Sequence, residues 1–256
     1  MQTKSMLALA AALAIRAGEA ILAVRDAGFE VIVKADRSPV TAADRAAEAI
    51  IVAGLRAAYP DIPVIAEEES AEHGAGAAAE LFWLVDPLDG TREFTAGTDD
   101  FTVNIGLVQR GCPILGVVSA PALGEMFTGI VGDGAWKRTT SGETSIRVRS
   151  PPLEGLTVMA SRHHASMAAL NGFLAGRRVA TICHIGSSLK FCRVAEGQVD
   201  LYPRLGRTME WDTAAAQAVA EAAGGRVTCL DGSPLLYGKP GFENPFFVCT
   251  GGSAPL

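Results

Sequence analysis

From Leu81 the chain runs Leu-Phe-Trp-Leu-Val and then turns abruptly acidic in Asp86-Pro87-Leu88-Asp89-Gly90-Thr91. So continuous an apolar run, bounded by Pro and Gly, reads as a buried strand. Proline fixes its own φ and glycine admits dihedrals closed to other residues. The turn after the strand can therefore gather both carboxylates, the Leu88 carbonyl and the Thr91 hydroxyl in one small volume. Hard oxygen donors delivered together at a strand end suit divalent cations and phosphate chemistry.

The same device recurs upstream, where Val64-Ile65-Ala66 reads as a short strand that ends at Glu67-Glu68-Glu69. Before it, the apolar spacing predicts an amphipathic helix over residues 42–58, with Thr41 as N-cap and Asp44 in the first turn. The bland account of Asp44 is a favourable interaction with the positive helix end. The first helix carries Leu13, Ala17, Ala20, Ile21 and Val24 at helical spacing, and this pattern continues past any cleavage site, so a mature helix is preferred over a signal peptide.

Strand patterns follow at residues 30–34, 101–108, 113–120 and 124–129, with Gly132-Asp133-Gly134 as a turn and a loop from His73 to Gly76. The first half thus reads as α+β, two helices on a largely antiparallel sheet. Composition shifts around Arg149-Ser150-Pro151-Pro152-Leu153, which sets the expected boundary between halves 1–150 and 151–256. Beyond it, strands at 156–160, 179–181 and 199–202 alternate with helices at 165–174, 188–196 and 211–223, an α/β pattern within one compact unit. The tail from Gly251 reads as frayed.

Composition removes several functions. Among 256 residues, 49% are hydrophobic and 20% charged, with no uninterrupted apolar stretch of bilayer length. A net charge of −6 argues against a nucleic acid polymer as partner. Five cysteines at scattered positions lack zinc-type spacing and fit a reducing cytoplasm.

Asp86, Asp89, Glu67 and Asp212 all fall at element boundaries, where side chains converge without entering a core. Several carboxylates within a few ångströms repel one another unless a hard cation such as Mg²⁺ neutralises them. Each acid has a plain alternative: an Asx turn for Asp86 and Asp89, a solvated acidic loop for Glu67, Glu68 and Glu69, and a helix cap for Asp212. Gly186-Ser187-Ser188 before a helix, with Lys190 nearby, reads either as an anion site or as a Ser-capped start. Arg204 is open between contacting a second phosphate and pairing with surface acids, and Ser161-Arg162-His163-His164 marks another strand end.

Three blocks in order, Glu67-Glu68, Asp86 to Thr91, and Trp211-Asp212 with its alanine-rich helix, resemble the lithium-sensitive, magnesium-dependent phosphatase superfamily that includes inositol monophosphatases. Residues 35–44, Phe101-Thr102-Val103-Asn104-Ile105, 186–198 and Tyr202-Pro203-Arg204 resemble its bacterial CysQ-type 3'(2'),5'-bisphosphate nucleotidase branch over nearly the full length. Arg92, where the branch often has lysine, and Glu69, which extends the acidic run, are local departures. The resemblance implies a layered α-β-α-β-α sandwich of the inositol monophosphatase-like (sugar phosphatase) fold. It implies two or three Mg²⁺ ions held by Glu67, Asp86, Leu88 O, Asp89 and Asp212, with Asp44 and Thr91 orienting the attacking water. Substrate contacts would come from Glu67, Leu88, Asp89, Gly90, Thr91, Gly186, Ser187, Lys190 and Asp212.

The implied reaction is direct hydrolysis of the 3'-phosphate of adenosine 3',5'-bisphosphate to AMP, in sulfur assimilation and nucleotide recycling. An inositol or other sugar monophosphatase is the alternative, and a non-catalytic metal- or nucleotide-binding regulator a third reading. The relatives offer both monomers and homodimers. A cytoplasmic location follows, with peripheral inner-membrane association implied for some relatives.

Overall fold

The computed structural model describes residues 2–33, 39–73, 79–162 and 167–252. Lys34, the 35–38 part of the matching segment, the loop at 74–76, His163-His164 and the tail from Ser253 lie outside them. The elements of the first half are α1 (Gln2–Ala27), β1 (Ile32–Val33), β2 (Pro39–Val40), α2 (Ala42–Ala58), β3 (Val64–Ala66), α3 (Glu67–His73), β4 (Leu81–Asp89), α4 (Thr91–Thr95), β5 (Thr102–Gln109), β6 (Cys112–Ala120), β7 (Glu125–Ile130), β8 (Gly134–Thr139) and β9 (Gly142–Ile146). Those of the second are β10 (Leu156–Ser161), α5 (Met167–Leu174), β11 (Val179–Ile185), α6 (Leu189–Ala195), β12 (Leu201–Arg204), α7 (Ala214–Ala222), β13 (Arg226–Cys229) and β14 (Phe247–Thr250).

β3 to β9 form a seven-stranded sheet in sequence order, antiparallel except for the parallel pair β3–β4. Trp83 and Val85 on β4 pack with Val103, Ile105 and Leu107 of β5 and with the buried faces of α1 and α2. Phe82 and Leu84, pointing the other way, pack with α6 and α7. Burial on both faces is why this strand is apolar at consecutive positions. On the far side of α6 and α7 lies a five-stranded sheet, β11-β10-β12-β14-β13. Leu170 and Leu174 of α5 cover its outer face over Val158, Leu201 and Val248. The layers are α1/α2, sheet, α6/α7, sheet, α5, the α-β-α-β-α sandwich.

One row of residues sets the spacing of the middle layer. Gly106, Gly116 and Gly129 stand in register on β5, β6 and β7. A Cβ on Gly116 would lie 1.9 Å from Ala215 O, on Gly106 2.8 Å from Ala215 N, and on Gly129 2.8 Å from Val219 Cα. The alanine-rich α7 therefore rests backbone to backbone on the first sheet, although it belongs to the second half.

Several expectations need correction. β4 does not end at Val85 but runs to Asp89, with its register shifting between Asp86 and Asp89. Pro87 has no N–H, and the Leu88 N–H donates to Asp86 Oδ1 at 3.0 Å, so the ladder has no donors there and resumes at Asp89 opposite Thr102. Glu67-Glu68-Glu69 is no loop but the first turn of α3. Glu48 of α2 accepts from the N–H groups of Glu68 (2.8 Å) and Glu69 (2.9 Å), supplying the cap that the local sequence lacks. α7 starts at Ala214 rather than 211, β11 extends to Ile185, and β12 ends at Arg204. The second half is not a plain β-α-β-α alternation, because β14 inserts antiparallel between β12 and β13. By length and composition α1 is apolar enough to cross a membrane; in the fold it buries Leu13, Ala17 and Ile21 in the outer core.

Candidate active site

In both sheets the parallel strands point their carboxyl ends at the same place. β3 and β4 lead to Glu67 and to Asp86–Asp89; β10, β11 and β12 lead to Ser161, Gly186 and Arg204. The crevice outside the carboxyl ends of parallel strands is the usual ligand position in open α/β sheets. Here it is a cavity of about 320 Å³, lined by all of these residues together with Gly90, Thr91, Ser187, Ser188, Lys190 and Asp212.

One wall is acidic. Asp86 is 1% exposed, and burial together with the charges of Glu67, Asp89 and Asp212 holds its carboxyl well above the ordinary range. Burial and the neighbouring Asp89 push Asp212 up to about 7. Burial raises Asp89 too, with Lys190 opposing the rise. The Asx turn anticipated for Asp86 is real, yet it occupies Oδ1 only. Asp212 is not the helix cap: Thr213 holds that position, and Asp212 Oδ2 accepts from Met209 N–H at 2.9 Å.

Below this wall, Gly90 adopts φ +93°, which turns the chain directly from β4 into α4. Thr91 follows, its Oγ1 lying 3.2 Å from Asp44 Oδ1 and 3.1 Å from Leu88 O. Asp44 is 2% exposed. Its Oδ2 accepts from Thr41 N (2.7 Å) and Thr41 Oγ1 (2.8 Å), completing a capping box. The helix-end account of Asp44 and its contact with Thr91 are thus both true, one oxygen serving each.

The opposite wall is basic. Lys190 is 4% exposed; its ammonium donates to Ser187 O and lies 5.5 Å from the centre of the Tyr202 ring. Burial lowers it to about 8, against the attraction of Asp89. Arg204 is 8% exposed and reaches Ser161 Oγ (3.1 Å) and the Arg207 carbonyl (2.8 Å), not a surface acid. Its Nε is buried without a partner, so the guanidinium keeps a donor aimed at nothing in the protein. At the start of α6 the Leu189 N–H donates to Ser187 Oγ at 3.4 Å, whereas Ser188 makes no side-chain cap bond. Its Oγ turns instead to Asn104 Oδ1 (2.7 Å) and Thr102 Oγ1 (2.9 Å), while its N–H donates to Asp89 Oδ2 (2.5 Å).

Glu93, Arg207, Thr208 and Met209 also line the cavity and were not singled out by sequence. Glu93 falls one turn-step past the Thr91 motif, and Arg207 repeats the basic character of Arg204 at i+3; both cues are weak. His163-His164 lies outside the described residues.

The donor set suits hard cations. Glu67, Asp86, Asp89 and Asp212 with Leu88 O present only oxygen, and among the described residues the cavity carries no histidine or cysteine. Among those residues no three acidic, histidine or cysteine side chains close on one point. The acids are spread along the cavity wall instead of gathering at one point.

A profile of the inositol monophosphatase family matches residues 2–245. The Escherichia coli K12 protein named 3'(2'),5'-bisphosphate nucleotidase CysQ is 48% identical over 240 residues, 92% of this chain and 95% of that one. Its Salmonella typhimurium LT2 namesake is 46% identical, covering 93% and 96%. Among solved structures, CysQ from Bacteroides thetaiotaomicron superposes with a TM-score of 0.81 at 34% identity, covering 98% of each chain. An inositol monophosphatase from Thermotoga maritima gives 0.79 at 27%, covering 96% of this chain and 92% of the other.

Proposed function

The chain belongs to the inositol monophosphatase family, and from that premise we propose that it is a 3'(2'),5'-bisphosphate nucleotidase, hydrolysing the 3'-phosphate of adenosine 3',5'-bisphosphate to leave AMP. The observation that carries the substrate is the cavity's two-sided charge. A buried arginine beside a buried lysine, both lining the cavity, opposes the acidic wall. A substrate with two phosphates fills both; a polyol monophosphate leaves the basic wall unpaired.

The family is metal-dependent. In this reading Glu67, Asp86, Asp89, Asp212 and Leu88 O hold two or three Mg²⁺ ions. When bound, these would neutralise carboxylates and phosphoryl oxygens and make a water acidic at neutral pH. The protein's own part is orientation. Asp44, fixed by both hydrogen bonds from Thr41, takes the Thr91 hydroxyl proton as a hydrogen bond, so that the threonine lone pairs face the water and set its line of approach. Direct attack needs no phosphoenzyme. Lys190 and Arg204 hold the second phosphate, with Gly186 and Ser187 beside it and Gly90 and Thr91 against the reacting one. The expected setting is the cytoplasm, where adenosine 3',5'-bisphosphate arises from sulfate activation, and the enzyme works as a monomer or homodimer.

The test is phosphate release in Mg²⁺ from adenosine 3',5'-bisphosphate and inositol 1-phosphate side by side, with Asp89→Asn as control. A strong preference for the nucleotide, lost in the control, is expected; preference for inositol phosphate would keep the acidic wall and overturn the substrate.

A further inference from the structure

The loop Gly186-Ser187-Ser188 is where the second half meets the first, and its two ends are fixed by different groups. At the Ser188 end the anchors are Asp89, Asn104 and Thr102. At the other end the Gly186 N–H donates to Asp100 Oδ2 at 2.5 Å. Asp100 stands just before β5, is 8% exposed, and lies outside the set lining the cavity. Arg162, at the end of β10, lies 3.2 Å from it. Burial alone would raise this carboxyl, yet the hydrogen bonds from Gly186 and Thr98 and the charge of Arg162 hold it below the ordinary carboxylate range.

What lies between the two anchors is strained. Ser187 has φ +48°, a left-handed conformation unfavourable for a residue with a Cβ. Gly186 is pressed against the first half so closely that an added Cβ would lie 2.5 Å from Glu93 Cγ. The Ser187 carbonyl, aimed by that backbone, receives the Lys190 ammonium. Strain of this kind persists only where the surroundings over-determine it.

We propose that Asp100, ion-paired to Arg162, is a positioning residue: it clamps Gly186 and so holds Ser187 and Lys190 in the arrangement that receives the substrate's second anionic group. This rests on the reading of loop 186–188 as a substrate contact. Because Ser188 is anchored independently, loss of the clamp frees Gly186 and Ser187 while leaving the acidic wall and the Asp44–Thr91 pair in place. Asp100 therefore acts on substrate affinity and not on metal affinity.

The experiment is steady-state kinetics of Asp100→Ala, Asp100→Asn and Arg162→Gln, with melting curves and Mg²⁺ titrations. Asp100→Ala should raise KM for adenosine 3',5'-bisphosphate about tenfold, with kcat within about threefold and the Mg²⁺ half-saturation unchanged. Asp100→Asn keeps an oxygen acceptor but loses the charge, and Arg162→Gln loses the counter-ion. Both should shift KM the same way by about two- to fivefold, so the claim stays readable if the alanine variant fails to fold. An unchanged KM in variants that melt like wild type would overturn it, as would kcat and Mg²⁺ half-saturation shifting together with KM. Wild type that ignores the nucleotide but hydrolyses inositol 1-phosphate would contradict the substrate reading alone. The clamp is then read from inhibition by AMP, whose phosphate probes the second-anion site: a raised Ki in the three variants would support it, and an unchanged Ki would refute it.

Discussion

The two walls of the cavity are built in opposite ways. The acidic wall is mostly one short stretch, Asp86 to Thr91, that anchors itself: Asp86 holds Leu88 N–H, and Thr91 reaches back to Leu88 O. The basic wall is assembled from the ends of β10 and β12 and from the α6 segment, with Lys190 and Arg204 resting on backbone carbonyls. Carbonyl partners position a cation without neutralising it, so its charge stays available to a ligand, whereas crowded carboxylates call for cations. In the proposed function one wall serves the hydrolysis and the other the choice of substrate.

That contrast breaks if mutations on the two walls act alike. The largest effect is expected for Asp89→Asn and Asp212→Asn, with kcat down about 10³-fold or more and the fold retained. Mg²⁺ at a hundred times Kd should stabilise wild type by about 2.7 kcal/mol through linkage, read as a rise in Tm, and the same variants should lose that rise. Wild-type rates at ordinary Mg²⁺ would remove the metal assignment. Thr91→Ala should lower kcat about 10²-fold with KM nearly constant, and a change confined to KM would refute its orienting role. On the other wall, Arg204→Ala and Lys190→Ala should raise KM for the bisphosphate about tenfold or more and alter inositol 1-phosphate kinetics far less. Arg207→Ala sharpens the comparison with the smallest effect, about two- to fivefold in KM. Its side chain is 62% exposed and already paired with Glu243 at 3.0 Å.

Legibility followed the same division. The acidic motif could be read because Pro87 and Gly90 announce their backbone roles locally, and α2 because its cap and apolar period agree over residues 42–58. Glu67 was expected as a donor and does line the cavity, yet its helix was missed: three glutamates in a row look solvated, and the Glu48 carboxylate that caps them comes from elsewhere in the chain. Asp100 and Glu93 carry no local signal, because what they meet is Gly186 in the other half, Asp100 by a hydrogen bond and Glu93 by close packing. β14 escaped notice for a similar reason, since its partners β12 and β13 precede it in the sequence and no short turn joins it to either.

The glycine row beneath α7 bears on how the enzyme fails with heat. Where side chains separate a helix from a sheet, warming can loosen rotamers and let the helix drift before it detaches. At Gly106, Gly116 and Gly129 there is no such cushion, since backbone meets backbone. Asp212 rides just ahead of that helix, so its distance from Asp86 and Asp89 has no soft coordinate along which to widen. Inactivation should then track global unfolding in a thermal ramp instead of preceding it.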